Sequence, residues 1–416
     1  MKHSGTILFI NRFYAPDYFA ATSRLLTDLT ADLAAAGHDV QVITSRLRYD
    51  TTQTPLSMRQ RMAGVEVHRV WTTRFGRFSL YGRSIDYLTF HLSAMWRLLC
   101  LAKAGDLVVV MTDPPLLSLS LWPVIALRRC HLISWNQDLF PETAGALLPF
   151  PVGSRWLLSL LRRLRNFSLR HARRAVVLGK RMAERLLAEG IAADKVCIIP
   201  NWEDGQCIMP LATAENPLRA EWQLVDRFVV AYVGNLGRAH ELDTVLAAAE
   251  YLTDRPDICF LFVGGGAGLP RLQAWQQQHP HAHLLIQPYQ SRERLLYTMG
   301  VADVHWFSLL PALEGLIVPS KFYGIAAAGR ATLFIGDSNG EIPALLQAGN
   351  CGESFAVGAA REVAERIRHW ADHPALCRKM GERARQWFLQ NHDQALAMRL
   401  WRQLIEEVVQ EINTHA

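Results

Sequence analysis

Short runs of apolar, β-branched residues recur along the chain and alternate with longer stretches of helical periodicity. In the first half the runs lie at 7–10, 40–43, 65–71, 107–111, 131–136, 175–179 and 196–201. In the second half they lie at 228–236, 259–266, 282–288, 304–307 and 331–336. Near-continuous apolar strands separated by helices predict parallel sheets covered on both faces. The polar, irregular stretch "NWEDGQCIMPLATAENP" at 201–217 breaks the rhythm. The pattern predicts an α/β chain of two doubly wound, Rossmann-like domains at 1–205 and 218–392, joined by a linker at 206–217. A terminal helix follows at 393–416. Ligands of such sheets bind at the carboxyl ends of the strands, so two of them imply a cleft.

Composition narrows the class. Half of the 416 residues are apolar and a fifth are charged, as in a globular protein with two cores. A net charge of +6 favours anionic partners mildly. The seven cysteines show no CxxC and no paired spacing, which reads as reduced thiols in a cytoplasmic setting. No apolar run approaches the roughly 20 residues that span a bilayer, and the start lacks a signal-peptide core. A protein free in the cytoplasm or seated on a membrane surface is expected.

Two strand ends carry glycines. In "YVGNLGRAHELD", 232–243, Gly234, Asn235 and Gly237 precede Arg238 and a helix. Such a turn lets a phosphate approach the backbone, although every fold of this type contains glycine turns. "FVGGGAGLPRL", 262–272, supplies Gly265 and Gly266 at a second strand end, and Pro288 closes a third run. Leu269 stands where a dinucleotide fingerprint needs its last glycine, and no acidic residue follows at ribose-binding distance. A dehydrogenase is therefore not expected, and no Walker A pattern is present.

The stretch "EGLIVPSKFYGIAAAGR", 314–330, combines Pro319 and Ser320 at a helix start with Lys321 at its positive end. A cation there is disfavoured unless an anion joins it. With the small residues from Gly324 onward, this suggests a diphosphate lying close to the backbone; a solvated lysine on a tightly packed helix is the alternative. On the first domain, Asp138 and Glu142 follow the fifth run. Asp138 is a candidate to orient or deprotonate an acceptor hydroxyl, with helix capping as the alternative, and Asp113 in "TDPP" is a further acceptor-side candidate or a turn starter. No Asp-x-Asp occurs and the histidines do not cluster at ligand spacing, so no metal and no cofactor are expected. The stretch 154–174 sets Leu157, Leu160, Leu161, Leu164 and Phe167 on one helical face and six arginines around the rest. That reads as an interfacial helix for an anionic membrane or as a core helix with a basic outer face. Nucleic acid is not expected, since no aromatic and basic residues interleave.

Taken in order, "FYAPDYFAATSRLLTDLTADLAAAGHDVQVITS", "TDPPLL", "WNQDLFPETAG", "AVVLGKRMAERLLAEGIAADKVCIIPNW", "VGNLGRAHELDTVLAAA", "FVGGG" and "VPSKFYGIAAAGR" resemble the family 4 retaining glycosyltransferases of the GT-B fold. The resemblance runs nearly end to end and is strongest to the bacterial exopolysaccharide and colanic acid branch. It implies transfer of a sugar from a nucleotide-diphosphate sugar, here a co-substrate, to a polyprenyl-diphosphate-linked saccharide at the inner membrane's cytoplasmic face. It implies too that the terminal helix, 393–416, packs back on the first domain, and it implies departures. The family's two glutamates, separated by seven residues, fall on Leu316 and Gly324, and its loop arginine and lysine fall on Asn235 and His240. Lys321, Arg238 and main-chain amides then remain as the diphosphate clamp, and Glu314 is the nearest carboxylate for the donor sugar. A nucleotide-sugar epimerase on the same fold, or a silent nucleotide-binding partner of an assembly complex, are the alternatives.

Overall fold

A computed structural model describes residues 5–17, 21–48, 55–76, 80–148 and 155–415. Residues 18–20 of the first-strand loop and residue 154 of the basic stretch lie outside these. The chain forms two compact units, residues 1–200 with 397–416, and residues 201–396.

The first unit is built on an eight-stranded sheet of order β3-β4-β2-β1-β5-β6-β7-β8. Its strands are β1 (Ile7–Ile10), β2 (Val40–Ser45), β3 (Arg59–Met62), β4 (Val65–Val70), β5 (Leu107–Met111), β6 (His131–Trp135), β7 (Arg174–Val177) and β8 (Val196–Ile198). All neighbours are parallel except β3 on β4. Every residue of β1 and β5 is buried, as a central parallel strand covered on both faces requires. The terminal helix Gln394–His415 belongs mostly to this unit: Trp401 packs at a tilt against Trp135, ring centres 4.6 Å apart, and Arg402 and Arg174 pair with Asp32 and Glu411.

The second unit carries a six-stranded parallel sheet of order β11-β10-β9-β12-β13-β14. The strands are β9 (Phe228–Asn235), β10 (Ile258–Gly265), β11 (Leu284–Gln287), β12 (Val304–Ser308), β13 (Ala331–Ile335) and β14 (Gly352–Phe355). The stretch 206–217 is held to this unit by side chains: Arg385 donates to the Gly205 and Ile208 carbonyls, Arg330 to Leu211, and Asn216 to Tyr297. A polar composition there reflects main chain bonded by long side chains.

β3, "RQRM", and β14, "GESF", were absent from the hydrophobic pattern. Both are edge strands and neither has a buried residue, so nothing in their composition had to be apolar.

The small residues of 324–329 have a packing reason different from the one their composition suggested. Helix Lys321–Ala327 is buried from Phe322 through Ala327 and lies against helix Pro374–Asn391. A Cβ on Gly381 would overlap the Gly329 carbonyl, and one on Gly329 would meet Pro210 Cγ at 3.0 Å. What comes close to this backbone is another helix. Ser320 precedes the helix but makes no side-chain cap bond.

Candidate functional site

At the carboxyl end of the second sheet, three strand ends and one helix start converge on a single ammonium. β9 ends at Gly234 and Asn235. Gly234 takes φ 121°, a region costly to residues with a Cβ, and the Lys321 side chain runs over it, with Cε 3.4 Å from where a Cβ would stand. Gly264, at the end of β10, sits so close to Gly234 that its own Cβ would overlap the Gly234 carbonyl. Glycine at both positions lets the two strand ends interlock, and the Leu236 amide donates to the Gly265 carbonyl at 2.7 Å.

The loop after β9 is pinned to the end of β12. Leu310 N donates to the Ala239 carbonyl at 2.9 Å, and Ser308 Oγ donates to the Glu241 carbonyl at 2.5 Å. His240 Nδ1 lies 2.6 Å from the Ser308 carbonyl. A carbonyl can only accept, so Nδ1 carries the proton and Nε2 presents its lone pair. Lys321 Nζ occupies that lone pair at 3.1 Å and donates to the Asn235 carbonyl at 3.2 Å. It also stands 5.0 Å from the centre of the Tyr232 ring, whose hydroxyl donates to the same carbonyl at 2.7 Å.

Every partner of the ammonium named so far is neutral. Burial pushes the Lys321 amine down to about 8, and burial together with Lys321 pushes His240 down to about 3. His240 is therefore a neutral acceptor across the working pH range. This half-buried cation is held by lone pairs and a ring face, and no carboxylate stands among its described contacts, so its charge is available to an anion.

The remaining candidates of this unit are arranged as follows. Arg238 is exposed in the same loop and shows no contact with Lys321 among the described residues. Gly237 adjoins the Asn235 amide, Gly265 faces the Tyr289 ring, and Gly266 lies against Asn235 Oδ1 and the Leu236 carbonyl. Pro288 is exposed beyond β11, and Pro319 is buried ahead of the helix. Gly324 turns toward Met299 and Glu203. Glu314 is buried, and its Oε1 accepts from the Glu341 amide at 2.8 Å and from Gly315 at 3.2 Å. That carboxylate is committed to the start of helix Glu341–Gly349, away from the role of a donor-sugar ligand.

In the first unit, Asp138 follows β6. Its Oδ1 is shielded from solvent with no described partner, and burial raises the acid to about 6, with Thr112 opposing the shift. Asp113 precedes Pro114 after β5, and its carbonyl accepts from the Arg12 amide at 2.8 Å. Glu142 is taken up by Arg165 through two bonds of 2.9 and 3.2 Å, and lines a cavity of about 200 Å³ with Arg155, Leu158, Ser159 and Arg162. This pairing makes Glu142 a structural anion.

Sequence patterns did not single out Tyr232 and Ser308, and noted His240 only as the place of a missing lysine. An aromatic inside an apolar strand and a serine at its end carry no local signal, because their role exists only where β9 and β12 lie side by side.

Two family models cover most of the chain: a glycosyl transferase 4-like domain over residues 21–202 and glycosyl transferases group 1 over residues 215–387. The chain belongs to the GT-B glycosyltransferases. The chain is 28% identical over 172 residues to WcaI of Escherichia coli, named for colanic acid biosynthesis, covering 41% of this chain and 42% of that protein. It is 28% identical over 277 residues to WbjE of Pseudomonas aeruginosa, named as a glycosyltransferase, covering 64% and 66%. The matches thus span less than two thirds of the length of these curated relatives. The Anabaena protein Alr3699/HepE, solved in complex with UDP-glucose, shares the fold at 14% identity, with a TM-score of 0.69 over 96% of this chain and 99% of that chain.

Proposed function

We propose that the protein is a metal-independent, retaining hexosyltransferase of family 4 that moves a sugar from a nucleotide-diphosphate donor to a lipid-linked saccharide in bacterial polysaccharide assembly. The observation that carries this reading is the Lys321 ammonium, held over the end of β9 by the His240 lone pair, the Asn235 carbonyl and the Tyr232 ring. A diphosphate is the anion that suits it, because charge on the leaving group grows as the glycosidic bond breaks and a fixed cation then gains most. The UDP and UDP-glucose bound by HepE, and the colanic acid pathway for which WcaI is named, support a nucleotide sugar and a polysaccharide product.

In this scheme the bond from the anomeric carbon to the diphosphate oxygen breaks while the acceptor oxygen bonds to the same face. The acceptor proton passes to a diphosphate oxygen. Lys321 and the exposed Arg238 neutralise the leaving group, glycine backbone at 234 and 265 admits it, and Asp138 orients the acceptor hydroxyl. Sites of this kind position and neutralise, so no pair of catalytic carboxylates is required. The enzyme would work at the cytoplasmic face of the inner membrane, where its basic helix Arg155–His171 meets anionic lipid.

The test is a thermal-shift and calorimetric panel of UDP-, GDP- and dTDP-sugars with a chelator present. The expected result is saturable binding of one donor class by the wild type, weakened in Lys321→Ala. No uptake of any donor would overturn the proposal. The commitment of Glu314 to a helix start favours one second reading, a nucleotide-binding partner without turnover; donor binding with no product over a broad acceptor panel would establish it. An epimer formed from donor alone would identify an epimerase.

A further inference from the structure

Helix Leu80–Leu101 of the first unit turns Phe90, Ala94 and Leu98 into the core and leaves an apolar stripe outside. Tyr81, Ile85, Leu88, Leu92 and Trp96 are spaced by four, three, four and four residues, which aligns them along roughly 22 Å of one helix face. Leu88 and Leu92 are 58% and 57% exposed and Trp96 is 69% exposed. An ordered row of large apolar side chains in water marks a contact surface.

Exposed apolar side chains also lie on two helices packed beside it in turn. Leu117–Leu127 is joined to the first helix by the His91–Ser120 bond of 2.6 Å and ends in Leu127, 72% exposed. Arg155–His171 is joined to it in turn by Ser118–Ser168 and by Trp122 against the Phe167 ring at 4.9 Å. Its buried side consists of Arg165, Asn166, Ser168 and Leu169, while Trp156, Leu157, Leu160 and Leu164 remain exposed. The leucine face of this helix is therefore outside the core.

Charge decides what covers this face. The three helices contain one carboxylate, Asp86, which is buried and accepts from Thr73 Oγ1, Phe75 N and Gly76 N at 2.6, 3.1 and 2.9 Å. Exposed arginines on or directly after these helices are Arg83, Arg128, Arg129, Arg155 and Arg163, while Glu189 and Glu142 from neighbouring elements pair with Arg162 and Arg165 of the third helix. A second copy laid on this face by a two-fold axis would set arginine against arginine. A sheet of anionic headgroups over hydrocarbon matches both features at once.

We propose that this three-helix face seats the protein on an anionic bilayer, with the Tyr81–Trp96 stripe entering the boundary between headgroups and acyl chains and the arginines meeting lipid phosphates. This deepens the membrane location given above and rests on it, and it is independent of the donor site.

The experiment uses the full chain and sedimentation with vesicles of phosphatidylcholine, with and without phosphatidylglycerol. Wild type should bind the phosphatidylglycerol vesicles, and the variant L88Q/L92Q/W96Q should bind them at least about tenfold more weakly. Arg155→Gln with Arg163→Gln should weaken binding and flatten its salt dependence. As a milder probe that leaves the fold untouched, Trp96→Phe should remove a share of the fluorescence quenching by brominated acyl chains. Unchanged vesicle binding in the triple variant with unchanged quenching in Trp96→Phe would overturn the proposal. So would loss of a dimer by light scattering with vesicle binding intact, which would assign the face to a second copy. Donor binding measured on the same variants keeps the two readings apart, since it should not move.

Discussion

Lys321 Nζ and His240 Nε2 lie 3.1 Å apart, and the His240 ring is turned to that position by the bond from its Nδ1 to the Ser308 carbonyl. The pair joins two elements more than eighty residues apart in sequence. One places the cation and the other fixes where the cation points. The position where the family resemblance called for a lysine holds the acceptor for a lysine delivered from elsewhere.

Replacing Lys321 separates chemistry from folding. Lys321→Ala should lower kcat by about 100-fold, the usual scale for a lost transition-state donor, with a melting temperature equal to or above that of wild type because a half-buried charge is removed. Steady-state kinetics and calorimetry on the purified variant check both halves.

His240 acts through Lys321, which the alkaline pH profile can isolate. Lys321 sits below its ordinary value, so above about pH 8 the ammonium is lost in the free enzyme and donor affinity should fall. The stability sign is the reverse: the penalty of burying the ammonium is complete below pH 8 and is relieved as pH rises toward the unfolded value near 10.5. The ionisable and charged groups around the pair are Tyr232, whose hydroxyl burial raises well above its usual range, and Arg238, Glu241 and Tyr289 of the adjoining loops. His240→Leu removes an acceptor from the charged form, so the alkaline limb should move down by about one pH unit. A purely structural role would leave that limb in place.

Asp138 should set the acid limb. Its carboxyl ionises near pH 6, so turnover should rise through that value, and Asp138→Asn should lower kcat and abolish the acid limb while leaving donor binding unchanged. Because the folded value lies above the unfolded one, burial of the carboxylate costs stability as pH rises from 3.8 through 6. Paired pH–rate and pH–melting profiles give the two readouts.

Glu314→Gln tests whether this carboxylate serves the fold or the sugar. Gln keeps an oxygen for the Glu341 and Gly315 amides and removes a charge that burial and the Glu341 and Asp337 carboxylates disfavour. Stability should therefore change by less than about 1 kcal/mol, with donor affinity changed by less than roughly threefold. Chemical denaturation and calorimetry distinguish the outcomes.

Gly381→Ala should cost about 2 kcal/mol or more, because the added methyl meets the Gly329 carbonyl and a helix backbone has no rotamer to yield. Urea unfolding monitored by tryptophan fluorescence measures it.

The pattern of the chain was sufficient for the architecture. β1, β5, β9, β10, β12 and β13 are buried on both faces, and that burial must be written as continuous apolar runs. Edge strands such as β14 carry no such obligation and left no trace. Lys321 and the glycines of β9 were also visible, since a cation at a helix start and glycine at a strand end are local features. The rest of the site was decided in three dimensions. Tyr232, His240 and Ser308 acquire meaning only when parallel pairing of β9 with β12 brings their ends together, and Glu314 lost its expected role because the start of helix Glu341–Gly349 lies within hydrogen-bonding distance. Periodicity records which residues are buried; only tertiary contacts record which partners each polar group has, and the candidate site rests on a cation whose described partners are all neutral.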